Sequence, residues 1–250
     1  QGAVITKLFR FVFFACAFAA MAAPAAAQSL NLDFGDGGGS STGRIVQIIV
    51  LMTVITLAPS LLVMVTSFVR IVIVLSLLRT AMGAQQTPPN AVLISLALFL
   101  TFFIMQPTLE KAYTDGVLPL IEERISEEEA FGKTVEPFRG FMLEHVREKD
   151  LALFLNMAKI TNIETVNQTP LRALVPAFMI SEIRRAFEIG FLLFVPFLII
   201  DMVVASILMS MGMMMLPPVM ISLPFKLIFF VLVDGWYLVA GSLARSYGLA

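Results

Sequence analysis

Cysteine and histidine are scarce in this 250-residue sequence, and each scarcity excludes a class of site. The one cysteine, Cys16, lies in a segment with the layout of a signal peptide, so the mature chain is expected to have no disulfide and no thiol chemistry. The one histidine, His145, lies beside Glu144 and Glu148 on a predicted amphipathic helix, where a surface role is expected. No second histidine provides metal-ligand spacing. We therefore predict no metal site and no cofactor.

Enzymatic motifs and a basic excess are missing as well. No G-x-x-x-x-G-K-[ST] phosphate loop and no Gly-x-Ser-x-Gly elbow occurs in the sequence. The formal net charge of -1 gives no reason to expect a nucleic-acid partner. The sequence predicts neither an enzyme nor a nucleic-acid-binding protein.

Apolar residues are the abundant class. They make up 58% of the chain, and charged residues only 14%, against about 45–50% and about 25% in a soluble globular domain. They occur in long blocks without the alternation typical of strands. We therefore predict an all-α, multi-pass membrane protein that contacts lipid directly.

The N-terminal region has the features of a removable export signal. A short basic region and the apolar stretch 11–23 precede three small residues, which predicts a signal peptide over residues 1–27. Cleavage is expected between Ala27 and Gln28; the alternative is an uncleaved first transmembrane helix. Residues 28–44 are rich in glycine and serine and are predicted to be a disordered periplasmic linker.

The rest of the chain divides by composition into three segments. Residues 45–109 are predicted to form a first membrane-associated helical pair, and residues 186–250 a second pair joined by a methionine-rich loop. Between them, residues 110–185 hold 23 of the 35 charged side chains and are predicted to form a polar helical domain. A periplasmic start places this domain on the periplasmic side, and Arg79 favours a cytoplasmic loop at residues 80–90.

Hydropathy alone suggests four spans, at residues 45–78, 91–109, 186–208 and 219–243. The first block has 34 residues, or about 51 Å of helix, whereas the hydrocarbon core is about 30 Å thick. It must tilt, project or fold back, and Pro59 is the expected place for a kink or turn.

The polar segment has helical patterning. Helix starts are predicted at Pro137, at Asp150 and at the pair Thr169-Pro170, each followed by apolar residues at helical spacing. The run of three glutamates at residues 127–129 is interpreted as solvated surface rather than as a cation site.

Five charged residues lie in or near the apolar blocks: Arg70, Glu188, Asp201, Lys226 and Asp234. A charge in hydrocarbon costs roughly 2.5–3.5 kcal/mol even on mild scales. We therefore predict ion pairs between helices or between subunits that support assembly, although the sequence leaves the pairing open. A proton or ion relay and charges at the water boundary are the alternatives.

Methionine is concentrated between residues 209 and 220, where six of the twelve residues are Met. Because Met is flexible and polarizable, a ring of such loops would form a soft apolar seal that yields to a passing chain. The alternatives are a plain hydrophobic loop and, more weakly, thioether copper binding.

Longer stretches carry a specific resemblance. Residues 187–206, 209–218, 222–226 and 233–236 closely resemble the FliP family, as do residues 67–70, 78–81, 86–90, 169–171, 176–178 and 181–182. The resemblance covers roughly residues 45–245. That family belongs to the export gate of flagellar type III secretion, and its injectisome relatives are similar.

The resemblance implies an assembly and a role for the methionines. FliP-like proteins form a ring of about five copies with FliQ-like and FliR-like membrane proteins, among other export apparatus proteins, at the basal body in the bacterial inner membrane. Their chains fold as helical hairpins, lifted largely out of the bilayer once assembled. The family's methionine gasket corresponds to Met211, Met213, Met214 and Met215.

The function predicted from these features is a pore-forming subunit of the flagellar export gate, which conducts unfolded flagellar proteins across the inner membrane. An injectisome export gate subunit is the nearest alternative. A stand-alone solute or ion channel and a scaffold without a continuous pore are the others.

Overall fold

The structure is a computed structural model that describes residues 41–84, 86–160, 168–213 and 216–248. All regular structure within these ranges is helical, which confirms the all-α prediction. The predicted signal peptide, with Ala27 and Gln28, lies outside the described residues, as does most of the predicted linker. The chain forms two units, residues 1–51 and 52–250, and the packing described below belongs to the second.

Helices account for nearly all of the described chain. In order they are α1 (Ser41–Met64), α2 (Phe68–Ala81), α3 (Asn90–Ala112), a π-helical turn (Tyr113–Val117), α4 (Leu118–Ile121), α5 (Glu127–His145), α6 (Glu148–Met157), α7 (Leu171–Ser210), α8 (Pro218–Leu232) and α9 (Gly235–Arg245).

The first apolar block breaks later than the sequence suggests. Helix α1 continues through Pro59 to Met64, and the break falls at residues 65–67. The Thr66 hydroxyl donates to the carbonyl of Val63 at 3.1 Å and accepts from the amide of Phe68 at 3.4 Å. A hydroxyl that binds nearby backbone groups in this way competes with the helical ladder. Of the kink or turn predicted at Pro59, the turn is wrong, because the chain turns at residues 65–67 instead.

Two helical rods are long and apolar enough to cross a membrane. One is Asn90–Ile121, which includes α3, the π-helical turn and α4, and the other is α7. Helices α8 and α9 form a third candidate only as a pair, because they are bent by 63° at residues 233–234. In the described part of the chain, the four hydropathic blocks thus correspond to two or three candidate spans.

Helix α7 is about twice as long as a bilayer core is thick, since 40 residues extend for about 60 Å. It runs without a break through residue 185, where composition changes from polar to apolar. The change near residue 110 likewise lies inside α3. The polar region is therefore built partly from the ends of the same helices that carry the apolar blocks, together with α5 and α6.

Helix α5 begins ten residues before Pro137, which lies in its interior. The Ser126 side chain accepts a hydrogen bond from the amide of Glu129 at 3.3 Å, which is a helix N-cap. The three glutamates lie exposed in the first turn, where the positive end of the helix dipole favours them. The glutamates are solvated, as predicted, and they also help to start a helix. Helix α7 begins directly after Pro170, as expected.

The core lies between α2 and α7, and α3 also packs on α2. Helix α2 contributes the fully buried residues Ile71, Val74, Leu75 and Leu78. Close approach depends on Gly190 of α7, because a Cβ atom there would lie 2.3 Å from Cδ1 and 3.2 Å from Cβ of a leucine on α2. The glycine therefore sets the spacing of the central helix pair.

Replacing Gly190 with Ala is expected to lower the free energy of unfolding by about 1–3 kcal/mol, because the added methyl group overpacks the contact with Leu77. Gly140→Ala in α5 is the matched control, since a Cβ there meets nothing within 4 Å. It should raise stability by about 0.5–1 kcal/mol through helix propensity. Thermal unfolding of both variants in detergent, followed by circular dichroism, tests this. Equal stabilities would contradict the close approach.

Candidate functional site

Arg70 of α2 forms a buried, two-pronged ion pair with Glu182 of α7. Its Nε atom donates to Glu182 Oε2 at 2.9 Å, and its Nη2 atom donates to Oε1. The remaining arm, Nη1, donates to the carbonyl oxygen of Ser246 at 3.2 Å and to its Oγ atom at 3.0 Å. Because a buried charge needs both a counter-charge and further hydrogen bonds, these contacts together make its burial tolerable.

Tyr247 completes this cluster from the C-terminal end of the chain. Its hydroxyl donates to Glu182 Oε2, and its ring lies 3.8 Å from the Arg70 guanidinium carbon. Burial, and next the charge of the Glu182 carboxylate, raise the pKa of Tyr247 well above 10.0. The hydroxyl therefore stays protonated at physiological pH and remains a donor.

Aromatic contacts extend the cluster into the polar region. The Tyr247 ring stacks on Phe141 of α5 at a centroid distance of 5.8 Å and lies 5.0 Å from the ring of His145. Nδ1 of His145 lies 2.9 Å from the carbonyl oxygen of Phe141. The histidine packs against the C-terminal segment, a tertiary role that the sequence did not indicate.

A second cluster joins α7, α8 and the end of α2. Nζ of Lys226 donates to Asp201 Oδ2 at 2.6 Å and to the carbonyl of Ala81 at 3.2 Å. The Ser222 hydroxyl donates to Asp201 Oδ1 at 2.5 Å. The lysine thus binds one of the last carbonyls of α2, which lack partners within their own helix.

Glu188 and Asp234 are the other two charges in or near the apolar blocks, and both are exposed. Glu188 is exposed and accepts hydrogen bonds from Arg184 at 3.0 Å and Arg185 at 3.2 Å, both on its own helix. Asp234 is exposed in the turn between α8 and α9, with φ of 50°. Arg70, Asp201 and Lys226 are therefore in inter-helix pairs within one chain.

Sequence reasoning missed Glu182 and Tyr247 as members of the first cluster. Glu182 lies in a segment that also holds two arginines, where a solvated charge is the ordinary expectation. The available signal was its register on α7, because it follows Ala177 and Phe178 on the same apolar face.

The α7–α8 hairpin extends beyond the turn between α2 and α3. The pair of Asp201 and Lys226 lies level with Ala81, the last residue of α2. Helix α7 continues for nine residues past Asp201 to Ser210, or about 13 Å. The methionine loop is therefore the tip of a projecting hairpin.

Gly212 closes α7 and turns the chain toward that loop. The amide of Met213 donates to the carbonyl of Leu208 at 3.0 Å, and that of Gly212 to Met209 at 3.1 Å. With φ of +76° at Gly212, this is a Schellman cap, which favours glycine. Met211 and Met213 are 60% and 42% exposed at the tip. Met214 and Met215 lie outside the described residues.

Comparison with known proteins shows which sequences this chain resembles. A family model described as the FliP family matches residues 51–243. A flagellar biosynthetic protein FliP from Caulobacter vibrioides is 61% identical over 237 residues, which covers 94% of this chain and 89% of that protein. The proteins of the same name from Bacillus subtilis and Rhizobium meliloti are 55% and 51% identical, and the matches cover 86% and 96% of this chain and 97% and 100% of theirs.

Proposed function

This chain belongs to the FliP family, and from that premise we propose that it is a pore-forming subunit of the flagellar protein export gate. It is a component of the flagellar export apparatus and a membrane protein. In the proposed role, a ring of about five copies assembles with FliQ-like and FliR-like proteins in the inner membrane. The ring conducts unfolded flagellar proteins and performs no catalysis. The flagellar names of the relatives favour this role over an injectisome role.

The projecting methionine tip supports the proposed role most directly. Exposed thioether side chains at the end of a hairpin are unfavourable in water unless another apolar surface covers them. When several copies surround an axis, their tips cover one another and form an apolar constriction, which blocks ions by excluding water. Methionine adapts its shape at low cost, so such a constriction also admits an extended chain.

Replacing Met213, Met214 and Met215 together with Ala is expected to raise ion leak through the assembled gate several-fold, because shorter side chains leave the constriction open. Conductance of the purified complex in planar bilayers measures this. Met202→Ala is the matched control: Met202 is exposed on α7 but lies eight residues before the helix end, about 12 Å from the tip. The control should conduct as the unchanged protein does.

Equal conductance of the triple variant and the unchanged complex would argue against the seal. A leak that appears equally in the Met202 variant would instead indicate general loosening of the hairpin. Proteoliposomes that contain this chain without the FliQ-like and FliR-like proteins test the stand-alone channel: solute uptake by this chain alone would favour that alternative.

A further inference from the structure

Oxidisable sulfur is concentrated at the tip of the α7–α8 hairpin. Six of the fifteen methionines in the chain lie between residues 209 and 220, and the one cysteine lies in the predicted signal peptide. Thiols and thioethers each have their own oxidation chemistry, and a thioether gives a sulfoxide. Because the mature chain is expected to have no thiol, its response to oxidants depends mainly on its methionines.

The methionines at this tip are exposed, whereas those of the helical core are buried. The exposed fractions are 59% for Met209, 60% for Met211, 42% for Met213 and 69% for Met220, and we call these four the tip methionines. The Schellman cap at Gly212 orders the backbone between α7 and Met213. The buried methionines, each at most 3% exposed, are Met82, Met105 and Met142. Since exposure governs oxidation of sulfur, the tip is the more reactive of the two groups.

The tip stays within reach of a small oxidant in the proposed ring. Neighbouring tips cover one another at their sides there, but a constriction has water at both of its faces. Hydrogen peroxide is a neutral molecule only one oxygen atom larger than water, so it reaches thioethers that border this water. Assembly therefore narrows access to the tip without removing it.

Oxidation changes the property on which an apolar seal depends. A thioether is apolar and flexible, whereas a sulfoxide is polar. An apolar constriction blocks ions because it excludes water, and sulfoxide oxygens on its wall bind water. Oxidised tips should therefore hold water in the constriction and let ions pass.

We propose that the methionines of residues 209–220 are a modification site, at which a peroxide forms methionine sulfoxide and loosens the seal. The sulfur lone pair attacks one peroxide oxygen, so an S–O bond forms as the O–O bond breaks. The displaced hydroxide takes the proton of the transferred oxygen and becomes water. The sulfur is oxidised and the peroxide is reduced. Methionine sulfoxide reductases reverse the change, which makes the site a reversible switch. The effect on the seal rests on the proposed function, but the oxidation itself does not.

Mapping of the sulfoxides tests the site without reference to conduction. The full-length chain in its export apparatus is treated in membranes with hydrogen peroxide. The dose is set to oxidise about half of Met157, which is 68% exposed at the end of α6. Peptide mass spectrometry should then show at least about fivefold more sulfoxide at the tip methionines than at Met105 and Met142. Equal sulfoxide at the tip and at these buried residues would overturn the site.

Conductance of the complex in planar bilayers tests the consequence. Ion leak should rise about threefold or more after peroxide and fall again after treatment with methionine sulfoxide reductase. A variant with all six methionines of residues 209–220 replaced with Leu keeps apolar side chains but has no thioether there. The ratio of its leak after treatment to its leak before should stay near one, whatever its starting level. Met157→Leu is the matched control and should respond to peroxide as the unchanged complex does.

The outcomes separate this switch from the seal itself. Sulfoxide at the tip without a rise in leak would overturn the switch, whereas the alanine variants measure the seal without any oxidation. An equal rise in leak in the Leu variant would assign the effect to other residues and also overturn the switch. If the Leu variant does not assemble, the reductase decides. Leak that stays high after the sulfoxides have been reduced would contradict the proposal.

Discussion

Replacing Glu182 with Gln is expected to lower the free energy of unfolding by about 3–5 kcal/mol. The change leaves the Arg70 guanidinium buried without its counter-charge. The carbonyl and hydroxyl of Ser246 and the ring of Tyr247 remain as its partners, and none of them carries a negative charge. Thermal and denaturant unfolding of the full-length chain in detergent measures the loss.

Two further variants distinguish a buried charge from a general loss of side-chain contacts. Glu129→Gln removes an exposed carboxylate whose Oε1 lies 2.9 Å from Lys133, and it should change stability by less than about 0.5 kcal/mol. Arg70→Met combined with Glu182→Leu removes both charges and should recover much of the stability lost in Glu182→Gln. Similar losses from Glu129→Gln and Glu182→Gln would contradict the importance of burial.

Replacing Lys226 with Met is expected to abolish recovery of the proposed ring. The Asp201 carboxylate keeps only the hydroxyl of Ser222, and the carbonyl of Ala81 loses its donor. Because this pair fixes α8 against α7 and the end of α2, its loss frees the hairpin that presents the methionine tip. Purification of the complex followed by mass measurement of the intact assembly tests the expectation, and Asp201→Asn should act in the same direction.

The double variant Asp201→Asn with Lys226→Met serves as the internal control. It leaves no unpaired charge, so more assembled ring should be recovered than with either single variant. Intact rings in both single variants would refute an assembly role for the pair. Failure of the single variants to fold as monomers, detected by circular dichroism, would place the effect before assembly.

Local patterns in the sequence predicted the helices, but the ion-pair partners of the buried charges depend on how the helices pack. The apolar blocks and the pair Thr169-Pro170 specified all-α structure and the start of α7, since both depend on neighbouring residues only. The partner of Arg70 is 112 residues away in the sequence, and that of Lys226 is 25 residues away on a different helix. Sequence alone supports the expectation of a partner without naming it.

Some helix boundaries lie at other residues than the sequence predicted. A kink or turn was expected at Pro59 and a helix start at Pro137, yet both residues lie inside helices. Hydroxyl side chains that bind nearby backbone groups, Thr66 and Ser126, mark the observed boundaries. The change in composition at residue 185 suggested a segment boundary for a different reason. Helix α7 changes there from polar to apolar side chains, and its backbone continues as one helix.

Because α7 is one continuous helix, a tilt at one of its ends displaces the other end. A rod of about 60 Å that pivots at its polar end moves its far end by about 5 Å for each tilt of about 5°. That displacement is close to the length of a methionine side chain. In the proposed ring, a small tilt of α7 at its polar end would therefore be enough, by geometry alone, to move the methionine tip into or out of the constriction.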